Sequence, residues 1–324
     1  MILEIFKQPG KLQIKWFLLL AAFVMICTSS IPASSYELII GTGPSGSFSH
    51  HTGKFLCRIF AKQGEEITCS LSPSNDSTDN LTNLQGGALD LALIDSLLLG
   101  ESTAGQGAFQ YLDINYDRIR IVTPLYEVPL TLIVRGDTNI SAVDQLPGKR
   151  INTGPFGSPK KQLFELFMQT QGWTEDMFPV FAELSSSLSQ DKIAFRQNEV
   201  QILVHEGVHP DNDIKLLMED MGASLIGFST DSIVDLINSN PSLSKQYINK
   251  STYPSLSDNL TTFGTTMTLV TSADADDETI RLLISALEKN KQSLQTLHPA
   301  LLAFDIDKRP QWFGSIKVHR AISE

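Results

Sequence analysis

A chain of 324 residues with 42% apolar composition can fill two lobes with a core each, because single cores stop growing well below this length. Its formal net charge of -11 repels phosphate backbones and anionic membrane surfaces, which excludes nucleic-acid binding as a function class.

At the N-terminus, Lys7, Lys11 and Lys15 precede the apolar run Trp16 to Cys27, and small residues with Pro32-Ala33-Ser34-Ser35 follow. This order predicts a secretory signal peptide over residues 1–35, cleaved near Ser34 to Tyr36, and therefore a periplasmic protein. The run is shorter than the roughly 20 apolar residues that cross a bilayer. Ile26 stands where a lipid anchor on Cys27 would need a small residue. Cleavage removes three Lys and one Glu, lowering the net charge by two, from -11 to -13.

Beyond it, strands and helices alternate. YELIIG (36–41) reads as a strand, 49–62 as a helix, EITCSL (66–71) as a strand, 78–86 as a helix and DLALID (90–95) as a buried strand. RIVTPLY and VPLTLIVR follow, then RINTG (150–154), the helix PKKQLFELFMQTQG, VQILV (200–204) and ASLIGF (223–228). TTMTLVTS leads into one long helix, DDETIRLLISALEKNKQSLQTL. Short strands separated by helices predict parallel sheets with crossover helices. Cys57 and Cys69 are near enough in sequence for a disulfide between the first helix and second strand, and two buried thiols fit equally well.

Two glycine loops stand out. Gly41, Gly43 and Gly46 are spaced G-x-G-x-x-G, and TGPSGS (42–47) returns as TGPFGS (153–158), each after a strand and before a helix. The echo predicts two similar half-units. Such loops expose backbone N–H groups at a helix N-terminus, where unpaired donors and the helix dipole attract an anion. Ser45, Ser47 and Ser158 add hydroxyls, and two such loops facing each other would clamp a small carboxylate. A dinucleotide would need an acid at the end of the next strand. That strand ends near Ser72-Pro73-Ser74, with Glu65 and Glu66 at its start, so the dinucleotide reading is set aside.

HEGVH, His205 to His209, matches the zinc-peptidase pattern H-E-x-x-H, which needs both histidines on one helical face. Here it follows VQILV, contains Gly207 and runs into Pro210-Asp211, so it reads as a loop with His205 near the cleft. A zinc hydrolase using this segment stays as an alternative. No G-x-S-x-G elbow or phosphate-binding G-x-x-x-x-G-K-[ST] occurs. His50-His51 reads as solvated surface. Lys160 and Lys161 oppose the dipole of the helix they open and read as an exposed pair. Asn75-Asp76-Ser77 matches N-x-[ST] by chance in a Ser/Thr-rich chain.

The succession IGTGPSGSFS, NLTNLQGGALDLALIDS and IRIVTPLYEVPLTLIVRGDTNISAVDQLPGKRINTGPFGSPKKQ resembles the TAXI family, the solute receptors of tripartite ATP-independent periplasmic (TRAP) transporters. The most specific part is 119–158, with its Leu-Tyr strand end, the turn Asp144 to Arg150 and the G-x-x-G-S loop. The resemblance implies a type II periplasmic-binding-protein fold: two α/β lobes joined by two crossing strands, with a ligand cleft between them. Lobe 1 would be 36–126 plus 268–324 and lobe 2 127–267, hinged near 124–130 and 262–268. It further implies a monomer without cofactor, metal or catalytic residues. Its ligand would be a small carboxylate, a glutamate-like amino acid or a dicarboxylate, passed to an ion-gradient-driven TRAP permease.

Carried onto this chain, the ligand contacts fall on Gly43, Ser45, Gly46, Ser47 and Phe48 in the first loop and Gly154, Gly157 and Ser158 in the second. Asn75 and Ser77 after strand two, Asp95 after the buried strand and Tyr126 near the crossover join them, with His205 from the loop after VQILV. All stand where open α/β sheets place ligands. Ser47-Phe48-Ser49 thins the aromatic lid usual in the family, and Pro159-Lys160-Lys161 replaces its small polar residues. A binding protein feeding a sensor kinase would share this pocket. A hydroxymethylbilane-synthase-like transferase would need a cofactor cysteine and several cleft arginines, which this chain does not offer.

Overall fold

The computed structural model describes residues 36–63, 67–75, 77–185, 187–306 and 316–323. The expected signal peptide at 1–35, Glu65, Glu66 and Asp76 lie outside the described residues. One sheet organises the chain, in the order β2-β1-β3-β10-β4-β7-β5-β6, with β8 on β4 and β9 on β10.

β1 (Tyr36–Thr42), β2 (Ile67–Pro73) and β3 (Leu91–Asp95) build one side of the sheet. β5 (Arg150–Asn152), β6 (Val180–Ala182), β7 (Ile202–Glu206) and β8 (Ser224–Ile226) build the other, with β9 (Ser244–Ile248) beyond. β1 pairs with β3 in parallel, as β5 does with β6 and β7, which is the arrangement that crossover helices impose. Between these sides run β4 (Ile119–Val134) and β10 (Leu260–Ser272), antiparallel to each other and rich in Val, Ile, Leu and Thr. Both belong to both sides: β10 pairs with β3 through Met267–Thr271, and β4 pairs with β7 through Leu130–Val134.

RIVTPLY and VPLTLIVR are thus one continuous strand. Pro124 and Pro129 each lack a ladder N–H, and the sheet absorbs Pro124 with a register shift at Met267/Thr268. Opposite Pro129 stands Gly264, where a Cβ would collide with the Val128 carbonyl.

Helices cover both faces. α1 (Phe48–Phe60) and α8 (Asp277–Lys289) pack on one face of the first side, against Leu38, Ile40 and Leu93. α2 (Ser77–Gln85) and α3 (Ser96–Ala104) pack on the other, against Ala92 and Ile94. On the second side α4 (Pro159–Gln171) and α7 (Thr230–Ser239) share a core with Leu130, Ile202 and Val204. α5 (Leu188–Arg196) and α6 (Asn212–Met221) share one with Ile133, Leu203 and Leu225. These buried apolar faces supply most of the driving force for folding. Among the described residues no helix is long and apolar enough to cross a membrane.

Several sequence expectations need correction. The long C-terminal helix breaks at Asn290, which bonds the Ala286 carbonyl through its own side chain, and a short α9 (Lys291–Gln295) follows. α10 (Arg320–Ser323) ends the described chain. ASLIGF is a strand only over β8. His50 is buried, with Nδ1 3.0 Å from the Thr42 hydroxyl. Lys160 and Lys161 are no exposed pair: both are buried, because carboxylates neutralise them there. Of the two readings left open for Cys57 and Cys69, the structure has the disulfide, tying α1 to β2 as expected.

Candidate ligand site

In the first loop, Gly43 to Gly46 turns the chain from β1 into α1, with Gly46 at φ +95°. Ser47 caps α1, its Oγ accepting the His50 N–H at 3.2 Å, and also lies 3.0 Å from Ser49 Oγ. Ser49 Oγ accepts the Gly43 N–H at 3.1 Å. A Cβ on Gly43 would stand 2.6 Å from that hydroxyl, so glycine is needed for the close approach. Ser45 is exposed at the tip, and Phe48 sets its ring edge against Tyr126, centroids 4.8 Å apart. The end of β2 lies beside this loop, since the Ser74 N–H donates to the Thr42 carbonyl at 3.0 Å. Asn75 is exposed there and Ser77 half-buried at the start of α2.

The second loop shares the turn, with the Ser158 N–H donating to the Pro155 carbonyl at 3.0 Å, but enters it differently and has different chemistry. Gly154 and Gly157 have φ of +88° and +78°. A side chain on Gly154 would collide with the Lys160 stem. Ser158 occupies the N-cap of α4 with extended backbone, yet makes no cap bond. Its residue is 7% exposed, and its Oγ is buried without a hydrogen-bond partner. A buried hydroxyl is costly unless bonded, so Ser158 is poised to bond something else. Phe156, 87% exposed, stands at the tip.

Strand register brings the remaining groups together. Asp95 faces Met267, which faces Tyr126; Thr265 faces Val128; Leu130 faces Glu206. Side chains alternate along a strand, so Asp95, Tyr126, Thr265 and Glu206 all leave the sheet on one face. Tyr126 and Val128 pack in the core that α1 shares, and Leu130 in the core that α4 shares, so this face also carries both helix N-termini. His205 faces Thr131 and leaves on the opposite face. It is not brought together with Asp95 and Tyr126. Burial first, then Lys160, pull its pKa down to about 4.

Asp95 Oδ1 caps α3, accepting the Leu97 and Leu98 N–H groups, each at 3.0 Å. Burial nonetheless raises its pKa. Glu206 is pushed up to about 8, by burial first and then by Asp95, with Lys160 pulling the other way. Burial and Asp95 also raise Glu101, which accepts from Gln162 Nε2. Burial raises the Tyr126 phenol, and Glu206 adds to it. Lys160 itself is held by Asp191, Nζ to Oδ2 2.6 Å, both groups buried.

The loop after β7 is fixed from several directions. Tyr253 Oη accepts the Asp211 N–H at 2.8 Å and lies 2.7 Å from His209 Nδ1. His209 Nε2 lies 2.8 Å from the Thr131 hydroxyl. Both ring nitrogens are occupied, and burial pulls the pKa down to about 3. Among the described residues no three His, Cys, Asp or Glu side chains are grouped to hold a metal ion. HEGVH is therefore a strand end and a braced loop.

Contacts also tie the two sides of the sheet. Ser96 Oγ donates to the Ser242 carbonyl at 2.6 Å and accepts the Thr266 N–H at 2.9 Å. Val208, after β7, packs against the core of the first side, and the Pro210 carbonyl lies 3.2 Å from His298 Nε2.

A sheet crossed by two shared antiparallel strands, parallel strands on either side and glycine loops at two helix N-termini on one face define a mixed α/β fold of the periplasmic-binding-protein type. The chain belongs to the NMT1-like family, whose model matches residues 40–315. It is similar to a TctC solute binding protein from Polaromonas, at 13% identity and TM-score 0.52, over 80% of this chain and 86% of that one. XAC2383 from Xanthomonas citri, bound to ATP, aligns at 11% identity and TM-score 0.54, over 82% and 86%. The putative periplasmic sulfonate-binding protein SsuA from Methylobacillus flagellatus aligns at 14% identity and TM-score 0.50, over 81% and 69%. At these identities the likeness establishes the fold.

Sequence reasoning missed Glu206, Thr265 and the Glu101–Gln162 contact. Glu206 was in view inside HEGVH, where the motif drew attention to the flanking histidines; the alternation of ILVHE carried the signal that it shares a face with Val204.

Proposed function

We propose that the protein is an extracytoplasmic solute-binding receptor of the TAXI type, exported to the periplasm and acting as a monomer without catalytic activity. It captures a small carboxylate between the two glycine loops and delivers it to a TRAP permease. Ligand contacts come from Gly43, Ser45, Gly46, Ser47, Phe48, Asn75, Ser77, Asp95 and Tyr126 on one lobe, 36–126 plus 268–324. Gly154, Gly157 and Ser158 contribute from the other, 127–267; His205, on the opposite face of β7, is left out of the contact set. The observation that carries the reading is Ser158: a buried N-cap hydroxyl without a hydrogen-bond partner, which leaves its own helix uncapped at the start of α4. A carboxylate oxygen there completes the hydroxyl's bonding and meets the positive end of the helix dipole.

Binding energy gained only when both loops touch one ligand shifts the protein toward a closed form, and closure is what a permease would recognise. The test is thermal shift of the purified protein against amino acids, mono- and dicarboxylates, and zinc. Stabilisation following RT ln(1 + [L]/Kd) for a carboxylate supports the reading. Stabilisation by zinc alone, or a silent panel, rejects it.

A further inference from the structure

We propose that the cleft has a second pole, in which Asp95 and Glu206, with Thr265 between them, receive a cationic ammonium group, so that the solute is a zwitterionic amino acid and not a dicarboxylate. This rests on the receptor reading above and narrows it.

The geometry is set by the sheet. Asp95 flanks β10 at Met267, Glu206 flanks β4 at Leu130, and Thr265 lies between those two rows on the same face. Thr265 is 2% exposed and its Oγ1 has no hydrogen-bond partner, so a buried polar atom waits between two carboxylates. Asp95 Oδ1 takes two backbone N–H groups, which leaves Oδ2 for a donor. Among the described residues, no ion pair or side-chain hydrogen bond engages Glu206. The nearby cation, Lys160, is held by Asp191.

A second carboxylate on the ligand would need a cation on this face. The described arginines are engaged elsewhere: Arg118 with Asp274, Arg135 with Asp137, Arg196 with Asp220 and Arg320 with Asp277. Arg150 reaches Asn198, Arg120 donates to the Asp117 carbonyl, Arg281 acts on Asp276, and Arg58 lies over Phe55. An ammonium group has three donors, and this pole offers a free oxygen from Asp95, from Thr265 and from Glu206. It also relieves the repulsion between the two acids, which Lys160 only partly offsets at Glu206. Carboxylate at the helix N-termini and ammonium at the acidic pole give the two charges of an amino acid.

The test is calorimetric titration of the purified protein with matched pairs that differ only in the ammonium: L-glutamate with glutarate, and L-leucine with 4-methylpentanoate. The expected result is at least one amino acid binding about tenfold or more tightly over its deaminated partner, with Glu206→Gln and Asp95→Asn each shrinking that ratio about tenfold. Thermal unfolding verifies that both variants fold. A deaminated acid that binds as tightly as its amino acid, or a ratio untouched in both variants, overturns the acidic pole while the carboxylate receptor stands. No binding by either member of either pair, with a silent thermal-shift panel, overturns both.

Discussion

At the scale of single residues, two serines in equivalent places do different work. Ser47 caps α1 and Ser158 leaves α4 uncapped. Ser47→Ala is expected to cost about 1 kcal/mol in urea unfolding, the usual value of a cap. Ser158→Ala should leave stability within about 0.5 kcal/mol and weaken carboxylate binding about tenfold. A loss of stability equal to that of Ser47→Ala would mark Ser158 as structural. Glu206 gives a prediction in pH. Its pKa is about 8 in the fold against an ordinary 4.5, so above 4.5 the folded chain keeps a proton that the unfolded chain has shed. Stability from this group is fully present below 4.5 and is lost as pH rises through about 8. Glu206→Gln removes that slope, so its Tm gain over the parent should grow by about 3 °C or more between pH 5 and pH 8. A Tm difference independent of pH would contradict this. His209 runs the other way, losing stability as pH falls from 6.5 toward about 3.

At the scale of elements, the sequence disclosed the loops and the alternation of strand and helix but not how strands join. Turn chemistry is local, so TGPSGS and TGPFGS could be placed between strand and helix without any tertiary information. Pro124 and Pro129 made one strand look like two, because absorbing a proline depends on what the neighbouring strand can shift. Lys160 and Lys161 looked exposed since their partners are distant in sequence: Asp191 for one, and Glu183, Glu165 and Glu175 for the other. No spacing rule reveals such pairs. The Cys57–Cys69 pair was legible as a possibility and is now a bridge across 12 positions. Replacing both by Ser should lower unfolding free energy by about 3 kcal/mol, the chain-entropy value for so short a loop. An unchanged midpoint would mean that the bridge adds nothing. Tyr253→Phe removes the hydroxyl joining Asp211 to His209 and should speed amide exchange over the 207–211 loop, leaving the α1 amides unaffected.

At the scale of the molecule, β4 and β10 are the feature from which the proposed mechanism follows. They belong to both sides of the sheet, so a change of angle between the sides must be absorbed within them. In the proposed closure, the bulge at Met267/Thr268 and the Gly264–Pro129 pair are where that change would be absorbed. The contacts of Ser96 with Ser242 and of Glu101 with Gln162 already bridge the two sides, so the proposed closure would add to existing bridges. The central claim is that one ligand is held by both glycine loops at once. Amide hydrogen exchange, with and without the carboxylate found to stabilise the protein, tests it most directly. The account predicts slowed exchange at both 43–50 and 154–162 on adding that one compound, whereas protection of a single loop, or protection confined to segments away from both, would contradict it.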